Sequence, residues 1–427
     1  MIPREVLSAK EIVLSDVSFW LRPLEEREGG FRALRRELPI SFHEESEVPP
    51  GMPFPRGPGF WAVVKHEDVL HVSRNPELFI SGKGSTIGDM PEQLLEYMGS
   101  IINLDKPRHT RLRKIISRGF TPAMIARAEA SVERAVETIM RNVSEKGECE
   151  FVSEIAGRLP LVIICDMMGI PESQYDFVSE QANVIIGAGS GDPDFVSDMS
   201  QLMPRLLTAA TSISELCKEL AEKRRKDPTD DLTSALVNAE IDGESLSDEE
   251  LVSFFILLSV AGNETTRNAI CHGLIALDQH PEQRAMWQND FEGLAPTAVD
   301  EIIRWATPVI HFRRTATQDT EIRGQKILAG EKVVMWYNSA NRDEDVFEEP
   351  YRFDLTRNPN PHIAFGGPGP HFCLGAHLAR REVTVMFREL FRRMPDVHVL
   401  GEPKKLQSNF IHGIKEMRCE FTPSRAA

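Results

Sequence analysis

Two stretches of the chain show clear helical patterns of apolar positions. Leu251 to Val260 is apolar on nearly every side, as in a helix buried at the middle of a protein. Ser247-Asp248-Glu249-Glu250 precedes it as a capping box, in which the Ser247 hydroxyl and the Glu250 carboxylate satisfy free backbone N–H groups. From Leu374 to Leu390 an apolar stripe recurs at helical spacing. The pattern therefore predicts a central buried helix and a later amphipathic helix.

Weaker patterns fill most of the remaining chain. Helical periodicity predominates from Ala123 to Met168, and another helix is predicted over 297–307, with Thr297 and Asp300 as its capping box. Short extended patterns predict strands at 60–64, 308–312, 320–327 and 333–337. The pattern predicts a mainly α protein with a small β-rich portion.

The central apolar pattern is interrupted by the polar run from Ala261 to Asn268. Gly262 lowers helix stability by about 1 kcal/mol relative to Ala, and burying Glu264 is costly unless the carboxylate is paired. The apolar pattern resumes at Ile270, which disfavours the alternative that the helix emerges into solvent. The Thr265 hydroxyl can bond its own turn and loosen the helix. Residues that are unfavourable in a buried helix, such as this Gly and Glu, indicate a functional site. Ala261 and Gly262 leave space there for a flat cofactor.

A Gly- and Pro-rich loop from Phe365 to Ala376 delivers Cys373 to the start of the later helix. Unpaired N–H groups and the helix dipole favour an anion at that position, so the sulfur is favoured as a thiolate. Gly375 leaves room for a bulky group against the backbone. A buried structural cysteine is the plain alternative, and a two-cysteine zinc pair is excluded locally because no second Cys is near. A single thiolate in an apolar pocket is what a haem-thiolate centre requires.

Composition narrows the class of protein. The 427 residues carry a net charge of −16, which argues against general nucleic-acid binding. Six scattered cysteines favour a reducing compartment over a disulfide scaffold. The first ten residues lack an apolar signal run, and the longest apolar run is far short of the ~20 residues that span a membrane. We expect a cytoplasmic protein without a membrane anchor.

The cysteine loop resembles that of the cytochrome P-450 monooxygenases, and Ala261 to Thr266 resembles their oxygen-activation motif, Ala-Gly-x-Asp/Glu-Thr-Thr. Phe365 lies eight residues before the cysteine, one more than the usual spacing. Glu301, Arg304 and Arg352 are similar to the family's structural triad, which locks the loop. The resemblance runs from about residue 18 to residue 416. It implies a single haem-binding domain over 1–427, with 1–17 and 417–427 peripheral.

The resemblance also implies roles for individual residues. Cys373 is the expected ligand of the iron of haem b, and its thiolate promotes O–O cleavage. The other expected haem-binding residues are His109, Arg113, Ala261, Gly262, Arg314 (with Arg313 as fallback), Phe365, His371 and Gly375. Glu264 and Thr265 are the expected catalytic pair that delivers protons. Electrons are expected from NAD(P)H through a ferredoxin reductase and a ferredoxin, which a basic patch of Arg108, Arg111, Lys114 and Arg118 would dock.

The substrate is predicted to be hydrophobic, because the candidate pocket residues are apolar: Met98, Ile101, Val260, Ala261, Val309, Ile310 and Phe410. Ile164–Pro171, Ser253–Asn268 and Asn358–His362 are similar to actinobacterial enzymes that act on sterols and methyl-branched lipids. We expect hydroxylation at the terminal (ω) carbon of a branched isoprenoid or fatty chain. A sterol side-chain hydroxylase is the alternative. More remote alternatives are a haem-thiolate isomerase or peroxygenase, which the acid–Thr pair disfavours, and a haem-based sensor, which needs no large apolar pocket.

Overall fold

The computed structural model describes residues 1–47, 56–120, 122–190, 201–240 and 243–424. Helices dominate these residues, and the strands are short, so the prediction of a mainly α fold with a small β-rich portion is confirmed. The α-helices are α1 Val17–Trp20, α2 Leu24–Glu37, α3 His66–Arg74, α4 Glu92–Gly99, α5 Arg108–Gly119, α6 Pro122–Val143, α7 Arg158–Met168, α8 Tyr175–Ser190, α9 Leu202–Lys226, α10 Leu232–Val237, α11 Asp248–Gln279, α12 Pro281–Asn289, α13 Phe291–Ala306, α14 Tyr337–Ala340 and α15 Ala376–Arg393.

The strands and tight helical turns are few and short. Three 3-10 turns span Ala9–Glu11, Ser100–Asn103 and Glu172–Gln174, and a π-helical turn spans Val152–Ala156. The strands are β1 Ile40–His43, β2 Phe60–Val63, β3 Phe79–Ile80, β4 Glu148–Glu150, β5 His311–Ala316, β6 Thr320–Ile322, β7 Gln325–Ile327, β8 Lys332–Trp336, β9 His398–Val399, β10 Lys404–Lys405, β11 Ile414–Glu416 and β12 Arg418–Glu420.

The largest sheet has the order β1-β2-β8-β5-β3, in which only β2 and β8 run parallel. A three-stranded sheet has the order β4-β12-β9, and β6-β7 and β10-β11 form two-stranded pairs. The predicted strand at 308–312 begins later than expected, at His311, and runs on to Ala316. Arg313 and Arg314 are neighbours on β5, so their side chains lie on opposite faces of the large sheet.

Helix α11 is the long central helix that the apolar pattern predicts. Ser247 Oγ accepts from Glu250 N at 3.2 Å, and Glu250 Oε2 accepts from Ser247 N at 3.0 Å, so the predicted capping box is confirmed. The helix continues without interruption through the polar run at 261–268 to Gln279. It contacts α7, α9, α13 and α15, and its apolar residues belong to two large core clusters.

Helix α13 begins earlier than predicted. Its N-cap is Asp290, whose carboxylate accepts from Gly293 N at 3.1 Å, and the helix starts at Phe291. The prediction of a capping box at Thr297 and Asp300 is wrong. Pro296 is the sixth residue of this helix, where it removes one i→i−4 hydrogen bond, and the helix nevertheless continues through it. The proline before Thr297 therefore does not mark the start of the helix.

The two terminal segments are not peripheral, contrary to the prediction. Ile12 and Leu14 are buried in a core cluster with Phe31 and Trp336. Met417, Cys419 and Phe421 are buried in the largest cluster, and 425–427 lie outside the described residues. These three side chains alternate with the exposed Arg418 and Glu420 along β12 and its two flanking positions, which turns them to the core side. The assignment of 1–427 to one domain remains a prediction.

No helix of the described part of the chain is both long and apolar enough to cross a membrane.

Candidate active site

A large cavity lies between α11 and the loop that carries Cys373. It encloses about 1670 Å³ free of protein atoms, part of it open to solvent. On the α11 side it is lined by Phe254, Leu257, Leu258, Ala261, Gly262, Thr265, Thr266 and Ala269, which recur at helical spacing and so form one face of the helix. The opposite side includes Phe365, Phe372, Cys373, Leu374, Gly375, Leu378, Ala379, Glu382 and Val383.

Cys373 is held by backbone contacts at the floor of this cavity. Its N–H donates to Phe365 O at 3.0 Å, which closes the loop despite the extra residue between Phe365 and the cysteine. Gly366 takes up the turn with a φ of +87°, a backbone conformation that side-chain-bearing residues rarely adopt. The first residue of α15 is Ala376, so the sulfur lies beside the amino end of the helix, as the sequence predicts.

Burial and nearby positive groups act in opposite directions on the pKa of the Cys373 thiol. Burial raises the pKa of the Cys373 thiol, whereas the Gly375 N–H, Arg113 and Arg380 lower it. Cys373 is exposed, and it is one of the residues that line the cavity. A bound metal ion would deprotonate the thiol outright, and the surrounding N–H group and two guanidinium groups would then stabilise the thiolate.

The glycines of the loop allow it to lie directly against α3. A Cβ on Gly369 would lie 2.5 Å from Ser73 O, and a Cβ on Gly367 would lie 2.9 Å from Ser73 Oγ. A Cβ on Gly375, in contrast, would meet nothing within 4 Å, so its space opens to the cavity. Two glycines therefore serve loop packing, and Gly375 leaves the approach to the sulfur free, as predicted.

Four basic side chains gather at one edge of the cavity: His109, Arg113, Arg314 and His371. The His109 and His371 rings lie 4.4 Å apart, and burial lowers the pKa of His109 to about 4 and that of His371 to about 2. Arg113 donates to Phe372 O at 2.6 Å, and buried Arg314 donates to Arg313 O at 2.7 Å. Neither guanidinium forms an ion pair with a carboxylate in the described ranges.

The fallback residue Arg313 does not face this edge. It donates to Asp89 Oδ1 at 2.7 Å and to Lys83 O at 2.9 Å, on the other face of β5. Strand alternation explains the difference, because neighbouring residues of β5 point to opposite faces. The structure therefore favours Arg314 over Arg313 as the group at the cavity.

Glu264 and Thr265 lie where α11 passes the cavity. Thr265 Oγ1 donates to Ala261 O at 2.9 Å, which is the predicted bond to its own turn. Glu264 is buried behind this turn and pairs with Arg267, while its Oε1 has no hydrogen-bond partner in the described structure. Burial raises the pKa of Glu264, against the opposite effects of Arg267 and Asn268. Thr265 lines the cavity, whereas Glu264, the residue before it, does not. A buried carboxyl group with a raised pKa is nevertheless suited to hold and pass a proton.

Gly262 has a packing role that the sequence does not reveal. A Cβ at this position would lie 2.6 Å from Ile164 Cδ1 of α7. Gly262 therefore permits close approach of α7 to α11, although it also lines the cavity. Ala261, one residue earlier, lines the cavity as predicted.

The buried triad contains Arg357 instead of Arg352. Glu301 and Arg304 of α13 are fully buried and pair at 2.7 Å, as expected for an i, i+3 pair. Arg357 Nε donates to Glu301 Oε2 at 3.2 Å, and its side chain is 10% exposed. Arg352 points outward, is 57% exposed, and pairs with Glu349 at 3.1 Å. The prediction for Arg352 is wrong because only its carbonyl, which accepts from Arg304 and Arg357, faces the triad.

Three of the predicted pocket residues line the cavity, namely Ile101, Ala261 and Val309. Met98 and Val260 instead pack against the second core cluster, because Val260 lies off the cavity-facing stripe of α11. Ile310 alternates with Val309 along an extended segment and packs against Trp336 on the other side.

Phe410, the remaining predicted pocket residue, lies one layer behind the cavity. Its ring centroid is 5.8 Å from that of the cavity-lining Phe312. The predictions that place Met98, Val260, Ile310 and Phe410 in the lining are therefore wrong.

Several residues at the cavity were missed by sequence reasoning. Ile102, Phe120, Ile164, Met167, Phe254, Leu257, Leu258 and Phe312 add apolar lining. The helical stripe through Ala261 and Thr265 was the signal for those on α11. Glu382 of α15 also lines the cavity, and its side chain is buried. Its Oε2 has no hydrogen-bond partner among the described residues, and burial raises its pKa well above the ordinary value. A lone Glu in an amphipathic helix gave no such signal.

The predicted basic patch is partly neutralised. Arg108 pairs with Glu96, and Arg111 pairs with Glu250 at 2.8 Å and with Glu244 at 2.6 Å. These acidic partners come from α4, α11 and the segment before α11, which the sequence pattern did not bring next to α5. Phe372, beside the cysteine, is 41% exposed.

The residues around the cavity fit a haem. A thiol lies on the floor, an apolar helix face lies opposite, and Gly375 leaves open space beside the sulfur. At the rim, His109 Nε2 has no hydrogen-bond partner among the described residues, and Arg113 and Arg314 lack carboxylate partners there. Buried donors of this kind require acceptors, and the two carboxylates of haem b are suitable acceptors.

Comparisons with known proteins agree with this geometry. The family model for cytochrome P-450 matches residues 77–409. A methyl-branched lipid omega-hydroxylase of Mycobacterium tuberculosis is 53% identical over 419 residues, covering 97% of this chain and 95% of that protein. A steroid C26-monooxygenase of Rhodococcus jostii is 41% identical, covering 92% of this chain and 81% of that protein.

Among solved structures, a Mycobacterium marinum cytochrome P-450 in complex with pseudoionone matches with a TM-score of 0.90. It is 43% identical, and the match covers 98% of this chain and 100% of that one. A Bacillus megaterium cytochrome P-450 in complex with testosterone matches with a TM-score of 0.79 at 30% identity, covering 92% and 98%.

The chain belongs to the cytochrome P-450 family. It is a haem-dependent monooxygenase that hydroxylates a hydrophobic substrate, and its cofactor is haem b.

Proposed function

We propose that this protein hydroxylates the terminal carbon of a methyl-branched lipid. The observation that carries the proposal is the apolar face of α11 above Cys373, where Phe254, Leu257 and Leu258 lead to Ala261 and Thr265. A chain that enters along this face contacts alkyl and aromatic groups until it reaches the floor of the cavity. The relative at 53% identity, which is named for this reaction, supports the choice of substrate.

In this proposal the protein supplies a ligand, anchors, protons and a dry pocket. Cys373 would hold the iron, and His109, Arg113, Arg314 and His371 would bind the haem carboxylates. Ala261, Gly262, Phe365 and Gly375, which line the cavity, would contact the ring. The haem supplies dioxygen activation and the insertion of one oxygen atom into a C–H bond.

Proton delivery falls to Glu264 and Thr265. The Glu264 carboxyl holds a proton at neutral pH more readily than an exposed one, because burial raises its pKa. Thr265 presents its hydroxyl to the cavity while Ala261 O fixes the orientation. In this proposal the pair moves protons from the protein interior to the cavity.

Electrons come from a ferredoxin and its reductase in this proposal, which use NAD(P)H. Phe372 is exposed beside the cysteine. In this proposal the acidic partner docks on the basic residues of α5, Arg108, Arg111, Lys114 and Arg118, of which Arg108 and Arg111 already pair with carboxylates. The six unpaired cysteines support a cytoplasmic location, since thiols stay reduced there.

The test is a reconstituted turnover with ferredoxin, reductase, NADPH and oxygen. A methyl-branched fatty acid is compared with the straight-chain acid of equal chain length, and mass spectrometry locates the new hydroxyl. We expect faster oxidation of the branched acid, at the terminal carbon. Mid-chain products, or equal rates for both acids, would contradict the proposed substrate.

A steroid with a branched side chain is the second candidate, because a relative at 41% identity is named a steroid C26-monooxygenase. In the same assay, a higher kcat/KM for that steroid than for the branched acid would favour this candidate. Cys373→Ser protein is the matched control for both substrates, and it should form neither product.

A further inference from the structure

Arg380 joins three elements beneath the cysteine loop. Its Nε donates to Asp300 Oδ1 of α13 at 2.7 Å, and its Nη1 donates to Ala376 O at the start of α15 at 3.4 Å. Its Cζ lies 4.6 Å from the centroid of the Phe365 ring, within cation–π range. One guanidinium thus links α13, α15 and the loop that presents Cys373.

The position of this guanidinium matters because Phe365 holds the cysteine. Phe365 O accepts from Cys373 N at 3.0 Å, and its ring lines the cavity. The Arg380 guanidinium therefore lies against the residue whose carbonyl fixes the backbone of Cys373. His362 completes the surroundings, with its Nε2 3.4 Å from Asp300 Oδ1 and its ring 5.9 Å from that of Phe365.

We propose that Arg380 and Asp300 are opposed positioning residues that set the reduction potential of the haem bound at Cys373. The proposal rests on the proposed role of Cys373 as the iron ligand. One-electron reduction adds a negative charge to the haem and its thiolate. A cation nearby stabilises the reduced form and an anion destabilises it, so Arg380 favours electron uptake and Asp300 limits it.

Exposure to solvent limits how far either charge can change the reduction potential. The Arg380 side chain is 37% exposed and that of Asp300 is 31% exposed, so water and salt screen both charges. We expect removal of either charge to change the ferric–ferrous equilibrium constant about threefold at low salt. This corresponds to about 28 mV at 59 mV per tenfold for one electron. The shift should shrink as ionic strength rises.

The experiment measures midpoint potentials of substrate-free holoprotein by spectroelectrochemistry at low and high salt. Arg380→Gln should lower the potential and Asp300→Asn should raise it, whereas Arg380→Lys, which keeps the charge, should stay near the wild-type value. Arg392→Gln is the matched control. Arg392 pairs with Glu389 on the same helix, twelve residues further on, which is about 18 Å along the axis.

The two part-exposed residues leave no deeply buried charge unpaired when either is changed, so folded protein is expected from each variant. A merely structural role would loosen the loop in both variants and move both potentials in one direction. Shifts of the same sign, or unchanged potentials at low salt, would overturn the inference while leaving Cys373 as ligand. A wild-type protein without a thiolate-type ferrous–CO band would instead overturn the proposed function, and the inference with it.

Discussion

Replacing Arg357 by Ala should destabilise the protein, whereas the same change at Arg352 should not. The Arg357 side chain donates to Glu301 Oε2 at 3.2 Å and to the carbonyls of Glu348 at 2.7 Å and Arg352 at 3.1 Å. Hydrogen bonds to charged groups are worth about 1.5–3 kcal/mol each. Glu301 keeps Arg304 as a partner, so we expect a loss of about 2–3 kcal/mol in the free energy of unfolding.

The Arg352 pair sits in a different environment. Arg352 and Glu349 are 57% and 66% exposed, and exposed pairs are worth about 0–1 kcal/mol. Arg352→Ala should therefore stay within about 0.5 kcal/mol of the wild type. Glu301→Gln, which leaves two buried guanidinium groups without their carboxylate, should cost about 3–5 kcal/mol.

Urea unfolding of the holoproteins measures these differences. Circular dichroism reports loss of helix and haem absorbance reports loss of the cysteine loop, both in one buffer. We expect the order Glu301→Gln, Arg357→Ala, Arg352→Ala from least to most stable. An Arg352→Ala protein as unstable as Arg357→Ala would refute the reassignment of the third residue.

Three further predictions concern the cavity. Thr265→Ala should release peroxide and lower the product formed per NADPH consumed, because the hydroxyl that donates to Ala261 O is lost. Thr265→Ser, which keeps a hydroxyl, is the control. An unchanged ratio of product to NADPH in Thr265→Ala would contradict proton delivery through Thr265. Arg314→Gln should speed the transfer of haem to apomyoglobin, because it removes a cation that would bind a haem carboxylate. Arg313→Gln, which breaks the pair with Asp89, should not change that rate. Equal transfer rates for the two variants would contradict the role of Arg314 in haem binding. Glu382→Gln should be as stable as the wild type near pH 4.5 and more stable above it. Because the pKa of Glu382 is raised in the folded protein, the folded wild type retains a proton that the unfolded chain releases above about pH 4.5. The free energy of unfolding of the wild type therefore falls by about 1.4 kcal/mol per pH unit between the unfolded and the folded pKa. Parallel pH profiles for the wild type and Glu382→Gln would contradict this.

The helical skeleton was predictable because its signals are local. The capping box at Ser247 and the all-apolar run after it fix the start of α11, and the Gly/Pro loop fixes the presentation of Cys373. The polar run at 261–268 marked a functional break inside a buried helix. Each of these signals depends on residues within a few positions of one another.

Side-chain direction was less predictable because it depends on distant packing. Val309 faces the cavity and Ile310 faces Trp336, a distinction that needs the register of the extended segment. Arg357 and Arg352 lie in the same irregular segment, where no periodicity tells which side chain turns towards α13.

Polar pairing between distant segments was also invisible in the sequence. Arg111 pairs with Glu244 and Glu250, more than 130 positions away, so a basic run that looked free is partly neutralised. Asp300, predicted as a capping residue, instead pairs with Arg380. These contacts arise only when α5, α11, α13 and α15 come together.

Binding of the haem iron by the Cys373 thiolate is tested by the ferrous–CO absorbance spectrum of purified wild-type and Cys373→Ser proteins. We expect the wild type to show the thiolate-type band and Cys373→Ser, even where it retains haem, to lack it. A Cys373→Ser protein with the same thiolate-type band as the wild type would show that another group binds the iron.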